Sequence, residues 1–357
     1  MNNTNTRIAW VDVLKFLGIW AIYIGHFGNK AGRVYPFVFS YHVPLFFFAA
    51  GFFSSRSIKY TPSAFLKKKT LQLMIPYVFF SLMALIIFTI QNDWNILQAK
   101  SALMGFIYGI RDQIVAGSLW FIPCLYVITV GDYIIVKIFK SKYASLVASV
   151  IAFVITQTLL PNNPATDPSW FMGVDSALFY YIYYALGNTM FPILNGDATT
   201  MIQHTIEAVA AVGAVIVTII TFFLTPSWFF GKIITYLPII NTFKLSTALF
   251  SLIIALVIIY CNVFIAKVLS HISFLQELGK ETLVFCGTED TAKIAITKLL
   301  AMISLKVRLN SPFMTVAFSL FCLVISKFTL IEFFNNYFPR VVGKTNFKTA
   351  NTPINLQ

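Results

Sequence analysis

Apolar runs of bilayer length recur along almost the whole of this chain, with too little polar sequence between them to build a water-facing domain. A spanning helix needs about 17–25 apolar residues. Ten runs approach that length: Ile8–Phe27, Pro36–Phe53, Leu71–Ile90, Leu119–Val136, Ala144–Leu160, Ser176–Leu194, Thr205–Leu224, Leu245–Ile265, Thr282–Leu305 and Pro312–Phe334. The chain is 58% hydrophobic and 11% charged, whereas an ordinary soluble domain carries about 25% charged residues. The expected fold is therefore all-α, a polytopic transmembrane helix bundle of about ten spans. The opening MNNTNTR lacks the basic segment and small-residue cleavage site of a signal peptide, so the first run is expected to stay as a span.

Orientation follows from the basic residues, which favour the cytoplasmic side. An inside N-terminus places Arg7, Arg56, Lys59, Lys67 to Lys69, Lys137, Lys140, Lys142, Lys267, Lys280, Arg340, Lys344 and Lys348 in the cytoplasm. A smaller set, including Lys30, Arg33, Lys100, Arg111, Lys232, Lys306 and Arg308, then lies outside. Both termini are expected to be cytoplasmic, with one membrane domain over 1–340 and a tail over 341–357. The formal charge of +13 is mostly this bias, and a nucleic-acid partner has no soluble domain to bind. Two outer segments carry short apolar stretches suited to interfacial or re-entrant helices, Gln91 to Ser118 and Thr225 to Lys244. The four cysteines, Cys124, Cys261, Cys286 and Cys322, sit in apolar runs without C-x-x-C spacing and read as buried small hydrophobes.

The first run, RIAWVDVLKFLGIWAIYIGH, carries Asp12, Lys15 and His26. Such groups are costly inside hydrocarbon and mark function more often than chance. Lys15 and His26 are close to three helical turns apart, so they share a face with roughly 16 Å of rise between them. Asp12 pairs with Lys15 at i, i+3 in either of two roles, as a snorkelling salt bridge or as part of a site. A second imidazole, His42, opens the next run on the same side. Two titratable rings brought to one leaflet suit acid–base chemistry. No carboxylate cluster joins the pair, and no metal is expected. Glu289 and Lys293 stand at i, i+4 in the ninth run, either as a neutralised bridge or as an acid–base group of the site.

The pattern Asp12-x-x-Lys15…Gly25-His26, followed by His42-x-Pro44-Leu45-Phe46-Phe47-Phe48-x-x-Gly51-Phe52, resembles the amino-terminal signature of the acyltransferase-3 family of integral membrane acyltransferases. The subgroup it resembles most is that of the fucose 4-O-acetylase-like O-acetyltransferases. Further matches are Lys67-Lys68-Lys69-x-Leu71…Ile75-Pro76-Tyr77, Leu119-Trp120-Phe121-Ile122-Pro123 and Leu278-Gly279-Lys280-Glu281-Thr282-Leu283. One departure stands out: where the family often has a histidine, this chain has Glu289.

The resemblance implies transfer of an acyl group, usually acetyl from acetyl-CoA, to a hydroxyl of a cell-surface or lipid-linked carbohydrate. It makes His26 the general base or acyl carrier, with His42 and Asp12 as further catalytic candidates and Trp120 and Glu289 as substrate-side candidates. Acetyl-CoA phosphates need cations, and Arg7, Lys15, Arg56, Lys67, Lys68 and Lys69 form an inner basic cluster that would supply them. Topology and anionic lipid account for the same cluster equally well. If the cluster binds the donor, the pantetheine arm runs along the first span from Lys15 toward His26. The expected location is a bacterial cell membrane, crossed several times. A polytopic transporter or flippase of glycan precursors is the alternative, and paired Gly/Pro-broken helices in two similar halves would favour it.

Overall fold

The computed structural model describes residues 7–196, 201–224, 244–305, 307–339 and 341–342. Among these the chain is helical throughout, 82% helix with no strand. In hydrocarbon every backbone N–H and C=O must be paired internally, and an apolar chain that pairs them locally becomes helices.

The helices are α1 (Ala9–Gly25), α2 (Val34–Phe39), α3 (His42–Gly51), α4 (Pro62–Lys69), α5 (Ile75–Gln91), α6 (Ile96–Tyr108), α7 (Phe121–Phe139), α8 (Lys142–Thr158), α9 (Val174–Leu194), α10 (Met201–Leu224), α11 (Lys244–Val268), α12 (Ser273–Lys280), α13 (Thr282–Met302), α14 (Pro312–Ser326) and α15 (Glu332–Tyr337). Helix α1 is apolar apart from Asp12 and Lys15 and runs through the centre, packed on α2, α3, α11, α12, α13 and α14. A helix that is apolar nearly all round belongs in the core. The tightest approach is that of α12, where a Cβ added to Gly279 would stand 1.6 Å from the Asp12 carbonyl oxygen. Only glycine permits that contact, which gives the Leu278-Gly279 motif a physical reason.

Six described helical segments are long and apolar enough to cross a membrane: Val34–Lys59, Pro62–Gln91, Phe121–Phe139, Thr205–Phe223, Leu245–His271 and Pro312–Tyr337. The other four expected runs form α1, α8, α9 and α13, which are helical but shorter or more polar. The reason is visible in α1 and α13. They carry Asp12, Lys15, Glu289, Asp290 and Lys293, and the segments that hold these groups are enclosed by other helices, while the later half of α13 is mostly exposed.

Two expected runs differ locally. The second is not one helix but α2 and α3, broken at Ser40 and Tyr41. The third passes through a π-helical turn over Thr70–Met74 just before Pro76, whose missing N–H and ring disfavour a regular i→i−4 ladder there. The outer segment Gln91 to Ser118 contains the short α6, started by an Asn95–Gln98 capping box and ended by Gly109 in the left-handed region. Beyond it the chain turns back inward, burying Ile114, Ala116 and Leu119. The other outer segment expected to be interfacial, and most of the expected tail, lie outside the described residues.

Candidate active site

His26 closes α1, its backbone N–H bonded to the Ile22 carbonyl at 3.0 Å. Its Nδ1 meets Glu289 Oε2 of α13 at 2.7 Å. A carboxylate accepts, so Nδ1 carries a proton, and Nε2 is the ring nitrogen turned away from Glu289. The other Glu289 oxygen accepts from Lys293 Nζ. The Lys293 ammonium also lies over the rings of Phe27 and Tyr23, 4.6 and 5.1 Å from their centroids. Glu289 has no exposed side-chain surface, whereas His26 keeps 21%. The arrangement is a buried ion pair that fixes one face of an imidazole and leaves the other open.

Two hydrogen-bonded contacts hold the carboxylate in place from below. Tyr23 Oη donates to the Phe285 carbonyl at 3.4 Å, and Ser118 Oγ donates to the Cys286 carbonyl at 2.7 Å. Both grip the turn of α13 just before Glu289. The second also anchors the returning loop of residues 114–120, which brings Gly117 against the His26 ring. A Cβ placed on Gly117 would lie 3.6 Å from Cε1 and 3.8 Å from Nε2. The absent side chain leaves space in front of the free nitrogen.

Asp290 completes the group. Its carboxylate, with His26 and Glu289, brings three ligand-type atoms within 4.8 Å of one another. A divalent cation would have to share Glu289 with an ammonium already bonded to it, which disfavours a metal at this point. Asp290 was not singled out from sequence, because an acid next to Glu289 on a helix has no periodic signature of its own.

His42 stands nearby, within electrostatic range of His26. Its Nδ1 donates to the Val38 carbonyl at 2.7 Å and its ring meets Phe39 edge-on at 4.8 Å. That bond adds a second donor to a carbonyl at the end of α2 that already accepts from the Tyr41 N–H at 3.2 Å, a structural task. Asp12 is not brought to His26: it lies fourteen residues down an unbroken α1, about 21 Å of rise away. It pairs instead with Arg7 at 2.9 Å and Lys15 at 3.8 Å. Trp120 is buried beside Tyr180, with the Arg111 guanidinium 5.4 Å from its ring centre.

Two adjoining cavities run along the inner half of α1. The inner one, of about 500 Å³, is lined by Arg7, Lys15, Arg56, Lys68 and Lys69 with Asp12 as the acid among them. The Lys68 ammonium donates to Tyr60 Oη at 2.7 Å, and the Arg56 guanidinium lies 4.7 Å from the centre of the Phe53 ring. Lys67 is exposed and lines neither cavity. The second cavity, of about 310 Å³, shares Lys15, Phe53, Ser57, Lys69 and Gln72 with the first and continues past Ile19 to Ile22, Phe121 and Cys286. Its lining stops one helical turn short of the site on both sides. Ile22 precedes His26 by four residues on α1, and Cys286 precedes Glu289 by three on α13.

A basic mouth, a narrow apolar passage and an imidazole held by a carboxylate define a membrane-embedded helical group-transfer site. The family described as an acyltransferase domain, acyltransferase-3, matches residues 8–284, so this chain belongs to the acyltransferase-3 family and is a multi-pass membrane acyltransferase. No curated protein and no solved structure matches it. The match ends just before Glu289, so the carboxylate that holds His26 lies beyond the matched residues.

Proposed function

We propose that this protein moves an acetyl group from cytosolic acetyl-CoA to a hydroxyl of a cell-surface or lipid-linked carbohydrate, with His26 as general base. The observation that carries the reading is the His26–Glu289 bond. It supports the reading because an imidazole that donates through Nδ1 to a carboxylate can keep Nε2 to accept a proton, at one end of a helix whose other half lines the basic cavity.

Nε2 takes the proton of the acceptor hydroxyl as its oxygen attacks the thioester carbonyl. The imidazolium that forms is stabilised by Glu289, and its proton then passes to the departing CoA thiolate. Lys293 holds Glu289 as the ionised partner this step needs. The basic inner mouth suits the phosphates of the donor, and the narrow passage suits its pantetheine arm. A thioester seated at the Ile22–Cys286 end stands about one turn, roughly 6 Å, below the imidazole. The acceptor enters from the other side, over Gly117. On this reading the N-terminus and the Arg56–Lys69 segment face the cytoplasm, and His26 lies toward the outer face of a bacterial cell membrane crossed about ten times.

The test is transfer of labelled acetyl from acetyl-CoA to surface glycans by membranes containing the protein, compared with membranes lacking it. Equal labelling in the two sets the reading aside. Sidedness is checked by single cysteines at Asn29, Asn163 and Ser57: the first two should react with impermeant maleimide outside intact cells, the third only after lysis. Labelling of Ser57 in intact cells reverses the orientation.

A further inference from the structure

Asp132 is a buried carboxylate in the middle of α7, 1% exposed, and the acyl-transfer chemistry does not use it. Hydroxyls from three other parts of the chain converge on it. Ser54 Oγ donates to Oδ2 and Ser145 Oγ to Oδ1, and Tyr181 Oη donates to Oδ1 at 2.8 Å. A carboxylate in an apolar interior is expensive, and several short hydrogen bonds are what offsets the cost. Packing alone gives no reason to keep it: an apolar residue in a hydrophobic surround would be simpler.

The clue is where Ser54 lies. It lines the narrow cavity, and so does Thr129, one turn before Asp132 on α7. Each has already committed its only hydroxyl hydrogen, Ser54 to Asp132 and Thr129 Oγ1 to the Tyr126 carbonyl at 3.0 Å. A hydroxyl that has given its proton away offers only lone pairs to a third group. At Ser54 and Thr129 the passage wall therefore accepts hydrogen bonds, whereas the charged and amide donors of the same cavity, Lys15, Lys69 and Gln72, are those it shares with the basic mouth. A ligand suited to it is a slender chain that is mostly methylene and carries N–H donors.

We propose that Ser54 and Thr129 form an acceptor subsite for the amide N–H groups of the pantetheine arm of acyl-CoA, and that Asp132 is a positioning residue that fixes the Ser54 hydroxyl in its accepting orientation. This rests on the acyl-CoA reading above and adds to it the part of the donor recognised midway along the passage. The nucleotide end meets the basic mouth, where Lys15, Lys69 and Gln72 border both cavities. The amides lie between that end and the thioester, in the stretch that Ser54 and Thr129 line.

The test uses full-length protein in lipid nanodiscs and two probes: coenzyme A, and 3′,5′-ADP, which has the nucleotide end without the pantetheine. Ser54→Ala and Thr129→Val should each weaken coenzyme A binding roughly three- to tenfold, the effect of one lost hydrogen bond, and leave 3′,5′-ADP binding unchanged. Thr129→Val does not touch Asp132, so it decides the matter if Ser54→Ala lowers thermal stability. Asp132→Asn should give the same selective loss, because an amide in that place can donate to Ser54 and turn its hydrogen into the passage. Unchanged coenzyme A affinity in both Ser54→Ala and Thr129→Val, or an equal loss for the two probes, overturns the subsite while leaving the acyl-CoA reading intact. Wild-type protein that binds neither probe overturns both.

Discussion

The two ends of α1 hold charge in opposite ways. At the His26 end, Glu289 is fully enclosed, bonded to His26 and Lys293 and flanked by the rings of Tyr23 and Phe27. At the Arg7 end, the five basic side chains of the mouth face one acid, and the Arg7 side chain is more than half exposed. Buried charges are costly unless their geometry is fixed, whereas exposed ones are cheap and adaptable. On the proposed reading the His26 end is a rigid device for one proton, and the Arg7 end is a compliant surface for a multiply charged ligand.

That contrast predicts how each end breaks. The largest effect is expected at His26. His26→Gln should lower acetyl transfer by about 10²–10⁴-fold, the usual worth of a positioned general base, while abundance in the membrane stays near wild type. Retention of more than half the activity at equal protein level removes His26 from the chemistry.

Glu289 tests rigidity directly. Glu289→Ala strands Lys293 in the core and should cost about 3–5 kcal/mol of stability, as breaking a buried pair does. The double variant Glu289→Gln with Lys293→Met should recover most of the thermal midpoint but not the transfer rate. Recovery of both would make the ion pair purely structural.

Gly117 tests access. Gly117→Val fills the space before Nε2, and an acceptor-dependent loss of at least tenfold is expected, with the apparent requirement for acetyl-CoA unchanged; overpacking of this kind costs about 1–3 kcal/mol where the neighbours cannot yield. A valine variant with wild-type kinetics would place the acceptor elsewhere.

The smallest effects belong to the inner mouth. Lys68→Gln and Lys69→Gln, both half-buried in the mouth, should each raise the acetyl-CoA requirement by only a few-fold, since one charge contact in an open cleft is worth about 1 kcal/mol, and added salt should shrink the difference. Lys67→Gln should do less than either, because Lys67 lines neither cavity. A larger effect at Lys67 would return the whole basic run to a topological role.

Much of this was legible before the structure. The apolar runs determined an all-helical chain because local backbone pairing is the one way such a sequence satisfies its peptide groups in lipid. The acids and bases of the first run drew attention to α1, which the structure places at the centre of the bundle, and the i, i+4 spacing of Glu289 and Lys293 announced their pair. The short apolar stretch within Gln91 to Ser118 likewise foretold the short helix α6. The runs that form α1, α8, α9 and α13 read as spans equal to the rest, although among the described residues six other segments have the length and apolarity to cross a membrane. The apolar pattern did not show that the second run breaks into α2 and α3.

The sequence by itself determined helices, their apolar character and the charged groups they carry, because each depends on neighbours within a few turns. Only the tertiary structure decided which groups meet. His26 and Glu289 are 263 residues apart; Gly117 reaches the same ring on a returning loop, and three hydroxyls from separate parts of the chain find Asp132. Such contacts have no period and no spacing rule. They are fixed by how closely helices pack, as at Gly279 against Asp12, and a hydrogen bond a few ångströms long exists only after that packing has set where each side chain can reach.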